Sequence, residues 1–303
     1  MNFIFRIILN RNFILVIAVI IGLIFGDYAA YLQQLTILIL GLTMVFSTTG
    51  IRTRSFFPLK KVVQPIILGT VLNYLVFGAV ILVTAWFLMP TKELFLGFVV
   101  IVAAPPGVAV IPFTGILKGD LEYSIFGVFG AFLASIVIAP ALVGIFSDGV
   151  ISSYSLFILM VKLVLIPLLI SRILLHKSIF KYVSIVRGKV VDWGFALLIF
   201  IAVGMNRDVF FSNPELLILI STVLISATFI IGSIYEYLLS KTTVLKERIT
   251  SQVLLLTIKS SGFSVVTALT LFGKEAAIPS AVLAVIVLLY LLFLSIKMEL
   301  IKK

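Results

Sequence analysis

The 303-residue chain contains no cysteine and only one histidine. The lack of cysteine excludes disulfide bonds, thiolate metal sites and cysteine nucleophiles. Acidic residues are also scarce, since 12 Asp and Glu stand against 23 Lys and Arg, which gives a formal net charge of +11. The lone histidine, His176, falls in a basic stretch, and we interpret it as a solvated loop residue. No metal or cofactor site is therefore predicted.

Hydrophobic residues make up 62% of the chain, and its mean hydropathy is +1.31. A soluble core of this length does not need so much apolar surface, so the composition predicts an all-α polytopic membrane protein. A strongly basic chain can also indicate nucleic-acid binding. Here the positions of the basic residues follow a membrane topology instead, so no nucleic-acid partner is expected.

Ten apolar segments are each long enough to cross a hydrocarbon core of about 30 Å. They cover residues 12–31, 33–51, 62–89, 93–117, 121–147, 153–175, 190–211, 215–240, 249–273 and 276–298. The connections between them are short, and the longest is predicted as a loop over residues 176–189. The first segment has no convincing cleavage site, so we expect an uncleaved first helix rather than a signal peptide.

The basic residues alternate from one side of the predicted spans to the other. With the N-terminus inside, 18 of the 23 Lys and Arg fall in cytoplasmic segments. Only Lys92, Arg207 and Lys274 fall in outer loops, and Lys162 and Lys259 lie at mid-span. The positive-inside rule therefore predicts ten spans in a cell inner (plasma) membrane, with both termini cytoplasmic.

Two of the predicted spans are interrupted at corresponding positions. A Pro-Pro-Gly sequence at 105–107 interrupts the fourth span, and a Ser-Ser-Gly sequence at 260–262 interrupts the ninth, 155 residues later. With five spans in each half, the halves 1–150 and 151–303 form an inverted repeat. Broken helices at bilayer depth are tolerated where they line a cavity or are buried, so this pair is the best pointer to a transporter's binding site.

The breaks place helix ends of both polarities near mid-membrane. The half-helices that restart near Gly107 and Gly262 direct N–H groups inward and suit an anion, whereas the carbonyls near Ala104 and Lys259 suit a cation. A lysine at this depth costs at least ~3 kcal/mol if nothing compensates it. Lys259 is therefore expected to be a fixed countercharge, an anion ligand or a proton carrier. The alternative is a structural lysine that hydrogen-bonds the carbonyls of the crossed helices.

The other charged residues near the spans carry weaker signals. Lys162 lies near mid-span away from both breaks, and whether it snorkels, pairs or acts directly stays open. Glu236 is expected in an interfacial ion pair, Asp192 at the start of the seventh span, and Asp120 and Glu275 as caps of the helices that follow them. No acidic residue is placed clearly at mid-membrane, which argues against the buried carboxylate typical of proton and sodium antiporters.

The broken segments resemble those of the bile acid:sodium symporter family, within the wider group that includes arsenite exporters and auxin efflux carriers. Residues 105–120 are similar to that family's first crossover, with its Lys-Gly-Asp type of turn. Residues 260–281 are similar to the second, with its Ala-Ala-x-Pro-x-Ala ending. The resemblance implies a core domain of helices 3–5 and 8–10, in which helices 4 and 9 cross. It also implies a panel domain of helices 1, 2, 6 and 7, and alternating access for organic anions.

This chain lacks the sodium-binding pattern that the family usually has. Where the family has Glu-x-Gly-x-Gln-Asn-x-Gly, the acid position is Leu255 and the glutamine position is Lys259. The usual Ser-Asn pair of the first crossover is Val110-Ile111, and a family threonine is Phe126. These side chains cannot supply the oxygen ligands that sodium needs. We therefore expect the family's fold without its sodium sites, and the Lys259 ammonium is a candidate for the place of the ion.

The sequence thus predicts a secondary transporter of a small organic anion, working by alternating access in the lipid bilayer without the family's sodium sites. The predicted substrate contacts are Gly107, Val108, Lys259, Ser260, Ser261 and Ser264, supported by Asn73, Pro105, Pro106 and Gly262. A proton-coupled antiporter or exporter of the same fold and a non-transporting membrane sensor stay open as alternatives, as does the oligomeric state. An enzyme is not expected, because the chain has no His-Glu-x-x-His motif, mid-membrane aspartate pair or Gly-x-Ser-x-Gly elbow.

Overall fold

The structure, a computed structural model, describes residues 11–50, 60–107, 109–147 and 153–301, and the regular secondary structure of these residues is entirely helical. Seven helical stretches are long and apolar enough to cross a membrane. They are Gly26–Thr48, Lys61–Leu88, Leu121–Phe146, Phe157–Leu174, Ser178–Met205, Pro214–Ser240 and Lys274–Met298. The prediction of an all-α membrane protein is confirmed at this level.

The α-helices are numbered in chain order. They are α1 (Arg11–Ile24), α2 (Ala29–Leu32), α3 (Thr36–Thr48), α4 (Lys60–Thr70), α5 (Phe77–Leu88), α6 (Lys92–Ala103), α7 (Val110–Ile116), α8 (Leu121–Phe146), α9 (Ser153–Met160), α10 (Ile166–Leu174), α11 (Lys177–Met205), α12 (Arg207–Ser212), α13 (Pro214–Ile225), α14 (Ile231–Ser240), α15 (Lys246–Thr257), α16 (Ser261–Leu271) and α17 (Lys274–Ile301). Segments of π-helix join α4 to α5 (Val71–Val76), α9 to α10 (Val161–Leu165) and α13 to α14 (Ser226–Ile230).

Three of the ten predicted spans fall on shorter helices. The first is represented by the apolar helix Phe13–Ile24, which continues into a 3₁₀ turn at Gly26–Tyr28. The fourth and ninth are each divided in two, as α6 with α7 and α15 with α16. A broken helix cannot present a long uninterrupted apolar stretch, so the count of ten spans stays a prediction.

The predicted loop over residues 176–189 is wrong, because α11 begins at Lys177 and continues for 29 residues. Asp192 consequently lies inside this helix rather than at its start. The many basic residues of this segment led to the prediction of a loop. Apolar residues such as Ile179 and Val183 nevertheless recur one turn apart, and this spacing gives the helix an apolar stripe. The helix therefore starts well before the apolar span that it carries.

The most extensive packing lies within two sets of helices. In one set, α11 lies along α1 and α3, and α10 packs against α3. In the other, α4 and α6 pack on α8, α17 packs on α6 and α16, and α13 and α14 contact α17 and α15 respectively. The two sets meet where α11 contacts α16 and α17, where α3 contacts α16 and where α1 contacts α17. Of the broken helices, α16 thus lies against α11, and α6 and α15 pack within their own set.

Irregular elements recur at matched positions in the two halves. Two of the π-helical segments begin at Val71 and Ser226, which are 155 positions apart, the same offset as the two breaks. The helices before them, α4 and α13, and the half-helices α6 and α15 each begin 154 positions apart. A π-helical segment is rare in helices generally, so its recurrence adds an independent correspondence to the one predicted from the breaks.

We expect Gly69→Ala to lower the melting temperature of the purified protein. An added Cβ at Gly69 of α4 would lie 2.8 Å from the Cα of Gly127 of α8, so backbone would have to move. Overpacking of this kind costs about 1–3 kcal/mol. Gly41→Ala in α3 is the matched control, because nothing lies within 4 Å of its added Cβ and alanine favours a helix. Equal melting temperatures for the two variants would contradict the close α4–α8 contact.

Candidate functional site

The chain leaves helical geometry at the first predicted break. Helix α6 ends at Ala103, and α7 begins at Val110. Ala104 is extended, with φ −63° and ψ 144°, because a following proline disfavours the α conformation. Pro105 has no N–H and cannot continue the helical hydrogen bonding. The local sequence alone thus accounts for the end of α6.

The second break is shorter and is built around a serine cap. Helix α15 ends at Thr257, and α16 begins at Ser261. Ser260 has extended backbone, and its hydroxyl accepts a hydrogen bond from the Phe263 N–H at 3.4 Å. A serine in this position satisfies one of the free N–H groups at the start of a helix.

The two breaks cross and pair through their backbones. The Gly107 N–H donates to the Ile258 carbonyl at 2.9 Å, and the Ser260 N–H donates to the Pro105 carbonyl at 3.1 Å. These bonds satisfy groups that would otherwise be unpaired at bilayer depth. An added Cβ at Gly107 would lie 3.0 Å from the Lys259 carbonyl oxygen, so glycine permits this close approach.

The Lys259 side chain extends across the crossing to the end of α6. It is 1% exposed, and its Nζ lies 2.6 Å from Asn73 Oδ1 and 2.8 Å from the carbonyl oxygens of Val102 and Ala104. An ammonium has three N–H donors, so each donor has an acceptor. The carbonyls at the end of a helix lack intrahelical partners and carry partial negative charge. The side chain of Lys259, which belongs to the second broken helix, therefore neutralises the partial negative charge at the end of α6 in the first.

Two aromatic rings complete the surroundings of the ammonium. Lys259 Nζ lies 4.4 Å from the ring centroid of Tyr74 and 5.5 Å from that of Phe77. The Tyr74 hydroxyl donates to the Ala131 carbonyl at 2.9 Å, which fixes the ring. None of the ion pairs found in the described parts of the chain involves Lys259. Neutral oxygens and ring faces therefore stabilise the charge.

Asn73 contacts the second broken helix at two points, Leu255 and Lys259. It is fully buried in the first π-helical segment, and its Nδ2 donates to the Leu255 carbonyl of α15 at 3.0 Å while its Oδ1 accepts from Lys259. The Asn73 amide therefore donates one hydrogen bond to α15 and accepts one from the Lys259 ammonium. The π-helical turn offsets Asn73 from a regular helical register, a geometry that recurs at functional sites.

A cavity of about 50 Å³ lies beside the crossing. Its polar wall comes from the crossing itself, and its apolar wall includes Phe195 and Ile199 of α11, Leu15 of α1 and Leu288 of α17. A volume of this size holds one or two water molecules, since each water occupies about 30 Å³ in the liquid. The organic anion predicted from the sequence would fit only if the helices on the two sides of the cavity separated.

The structure gathers most of the predicted contact residues around this cavity. Gly107, Lys259, Ser260 and Ser261 belong to its lining. Ser264 does not: its side chain is buried, and its hydroxyl donates to the Ser261 carbonyl at 3.0 Å. Val108 lies outside the described residues. The predicted contacts thus fall into a group of four at the cavity and one serine that braces α16.

The predicted supporting residues have distinct positions. Pro106 faces Lys259 in an isolated antiparallel bridge, and the Pro105 carbonyl accepts from Ser260. Gly262 lies against α11, because its added Cβ would meet Leu198 Cδ1 at 3.0 Å. Neither the α11 residues nor Tyr74 could be predicted from the sequence, since apolar and aromatic residues in ordinary spans give no signal of a site.

Three of the positions that differ from the family's sodium pattern carry buried apolar side chains. Leu255 and Val110 are 0% exposed, and Phe126 is 3% exposed. Leu255 packs against Gly127 of α8. Among the described residues no group of three or more His, Cys, Asp or Glu is placed to hold a metal ion. Packing contacts thus occupy the positions at which oxygen ligands were missing from the sequence.

The remaining charged residues take up structural positions. Lys162 is exposed in the second π-helical segment. Glu236 accepts from Lys297 Nζ at 2.6 Å, so the expected ion pair is present. Asp120 caps α8 by accepting from the Tyr123 N–H at 3.0 Å. The cap predicted for Glu275 is wrong, because this residue lies inside the first turn of α17.

Glu275 lies in the first turn of α17 rather than at its cap. Its Oε1 accepts a hydrogen bond from the Thr91 hydroxyl at 2.7 Å. Thr91 itself caps α6, so the contact joins the start of the first broken helix to the start of α17. A longer side chain at this position favours a bridge to a neighbouring helix over a local cap.

Comparison with known proteins gives one family. Residues 37–213, more than half of the chain, match the model of the Sodium Bile acid symporter family. The matched segment includes Asn73 and the first break but not Lys259. No curated protein matches the chain.

We expect Lys259→Met to lower the free energy of unfolding by at least about 3 kcal/mol, since each of the three buried acceptors left without a donor costs about 1–3 kcal/mol. Methionine keeps most of the length of the side chain but donates nothing to Asn73, Val102 or Ala104. Lys162→Met is the matched control, because it changes the same residue type at an exposed position. Melting curves in detergent measure both. A loss no larger for Lys259 than for Lys162 would show that the ammonium does not hold the crossing together.

Proposed function

Because the chain belongs to the sodium bile acid symporter family, whose members are membrane transporters, we propose that it is a secondary transporter of a small organic anion. The observation that carries this proposal is the pair of broken helices, which cross beside a cavity and have a buried ammonium between them. Secondary transporters bind their substrates near the bilayer midplane at such interrupted helices.

The proposed architecture has ten spans in two inverted repeats, residues 1–150 and 151–303. Helices 3–5 and 8–10 of this count form a core domain, and helices 1, 2, 6 and 7 form a panel domain. The recurrence of π-helix and breaks at an offset of 155 residues, and of the half-helices α6 and α15 at 154, supports the repeat. The separate packing of α1, α3, α10 and α11 supports the panel. The basic residues favour a plasma-membrane protein with both termini in the cytoplasm.

The proposed substrate is an organic anion with an apolar body. Its anionic group would meet the N-terminal ends of α7 and α16 and the hydroxyls of Ser260 and Ser261, since helix N-termini and hydroxyls bind anions. Its apolar part would meet Phe195 and Ile199 of α11. Because these walls belong to different sets of helices, movement of one set against the other enlarges the cavity and opens it alternately to each side.

We further propose that this transport does not depend on sodium. The end of α6 and the Asn73 amide present three oxygens that favour a cation, and Lys259 supplies that cation on a covalent tether. Sodium would need additional oxygen ligands, but the side chains at Leu255, Val110 and Phe126 offer none. The positive charge thus stays in the site through the whole cycle instead of entering with the substrate.

A proton-coupled antiporter or exporter is the second candidate. It is favoured by Lys259, a buried ionisable group at the crossing itself. In this case Lys259 releases and regains a proton during the cycle. Asn73 and the Val102 and Ala104 carbonyls would each have a hydrogen-bond donor only while the lysine is charged. The two candidates share the fold and the site, and they differ in the response of transport to pH.

Counterflow in proteoliposomes tests the proposed function. Vesicles are loaded with one of a panel of carboxylates or sulfonates, and uptake of the labelled compound is followed in potassium buffer. We expect loaded vesicles to take up at least one anion faster than empty ones, and replacement of potassium by sodium to leave the rate unchanged. Saturable binding without counterflow for any anion would indicate a sensor. Counterflow that requires sodium would contradict the proposed mechanism.

Lys259→Gln tests the role of the charge. Glutamine keeps much of the bulk and can still donate two hydrogen bonds, so we expect the protein to fold. Transport of an identified substrate should fall strongly or lose its pH dependence, and it should not become sodium-dependent, because Leu255 and Ile111 still supply no oxygen. Uptake is measured against pH for this variant, for Lys162→Gln and for the unaltered protein. Unchanged rates and pH profiles would show that Lys259 is only structural.

A further inference from the structure

A second cavity, of about 280 Å³, lies at the other end of the broken helices. Its lining comes from the end of α7, the start of α15 and the ends of α14 and α17, and it shares no residue with the cavity at the crossing. No residue of α1, α3, α10 or α11 belongs to this lining. The cavity therefore lies within one set of helices and away from the proposed substrate path between the sets.

The polar part of this lining is rich in lysine. Lys118, Lys246 and Lys297 contribute to it together with Glu236 and Glu247. Lys297 is paired with Glu236 at 2.6 Å, so these two charges cancel. Lys118 and Lys246 are both exposed, and none of the ion pairs found in the described parts of the chain involves either of them. Two ammonium groups against one exposed carboxylate leave the cavity positive.

Apart from Thr250, the remaining wall of the cavity is apolar. It is formed by Leu117, Val253, Leu254, Leu294 and Met298. Val253 and Leu254 are 3% and 0% exposed, so they form a fixed floor. A ligand that fills the cavity must therefore carry a negative group and an apolar part side by side.

Each of the three lysines lies close in sequence to an exposed apolar residue. These residues are Ile116, Leu245 and Ile296, with exposures of 52%, 63% and 58%. In a membrane-spanning chain, exposed apolar side chains face acyl chains, and lysines near the ends of spans extend to the headgroups. The charge distribution predicts this end of the molecule to be cytoplasmic. The cavity therefore lies at the boundary between the headgroups and the acyl chains of that leaflet.

We propose that this cavity binds an anionic phospholipid. The phosphate of the headgroup contacts the ammonium groups of Lys118 and Lys246, and the first part of an acyl chain lies on the wall that includes Val253 and Leu254. Basic pockets between spans on the cytoplasmic side bind anionic headgroups by this combination of charge and apolar contact. The lipid would connect α7, which follows the first break, to α15, which precedes the second. It would do so at the ends of these helices that lie away from Lys259.

The test uses the purified full chain in a neutral detergent and two lipids with the same short acyl chains, phosphatidylglycerol and phosphatidylcholine. We expect phosphatidylglycerol to raise the melting temperature in a saturable way, because a ligand of the folded state stabilises it by mass action. Phosphatidylcholine should produce no comparable rise. The double variant Lys118→Gln/Lys246→Gln should weaken the apparent affinity for phosphatidylglycerol at least tenfold, and either single variant should weaken it less.

Lys274→Gln is the matched control, because Lys274 is also an exposed lysine at a helix end but lies outside this cavity. It should leave the affinity unchanged. Equal effects of the two lipids, or an equal loss of affinity in the control and the double variant, would overturn the proposal. A saturable rise of the same size with glycerol 3-phosphate would show a site for soluble phosphates and would overturn the lipid as occupant. The single variants provide the comparison if the double variant does not fold.

Discussion

The contacts of one buried ammonium hold the centre of this molecule together. Lys259 belongs to the second break, but its three hydrogen bonds go to Asn73 and to the end of the first broken helix. A break in a membrane span leaves carbonyls that water cannot reach, and two breaks brought together would concentrate their partial negative charges. The ammonium offsets this charge. Without such a cation, the crossing would have to open or to recruit an ion.

The same contacts set the chemistry that the site can perform. A diffusible ion couples transport because it enters and leaves with the substrate, whereas a tethered ammonium cannot leave. In the proposed mechanism the site therefore keeps its charge without sodium, and the gradient of the substrate or of protons drives the cycle. The proposed anion transporter and the proton-coupled alternative both use the two helix N-termini and Lys259. They therefore share the geometry of the site and differ in the source of energy.

The sequence contained the breaks, the lysine and Asn73, because proline, paired serines and polar residues in apolar spans are conspicuous. It also indicated the family, which the match to residues 37–213 confirms. The partner of Lys259 was not predictable, since Asn73 lies 186 positions away and reaches the lysine only through tertiary packing. The first turns of α11 were not predicted, because the basic residues between its apolar positions resemble those of a loop. The apolar wall at Phe195 was not predicted, because the sequence does not distinguish a phenylalanine that lines a cavity from one that faces lipid.

Whether the ammonium takes the place of the coupling cation is tested by the response of the purified protein to sodium. Melting temperatures are measured in sodium chloride and in potassium chloride at equal ionic strength over a range of concentrations. A sodium ion bound only to the folded state would raise the melting temperature in a saturable way. If the ammonium occupies the cation's place, the melting temperature is the same in both salts at every concentration. A saturable rise that is specific for sodium would contradict it.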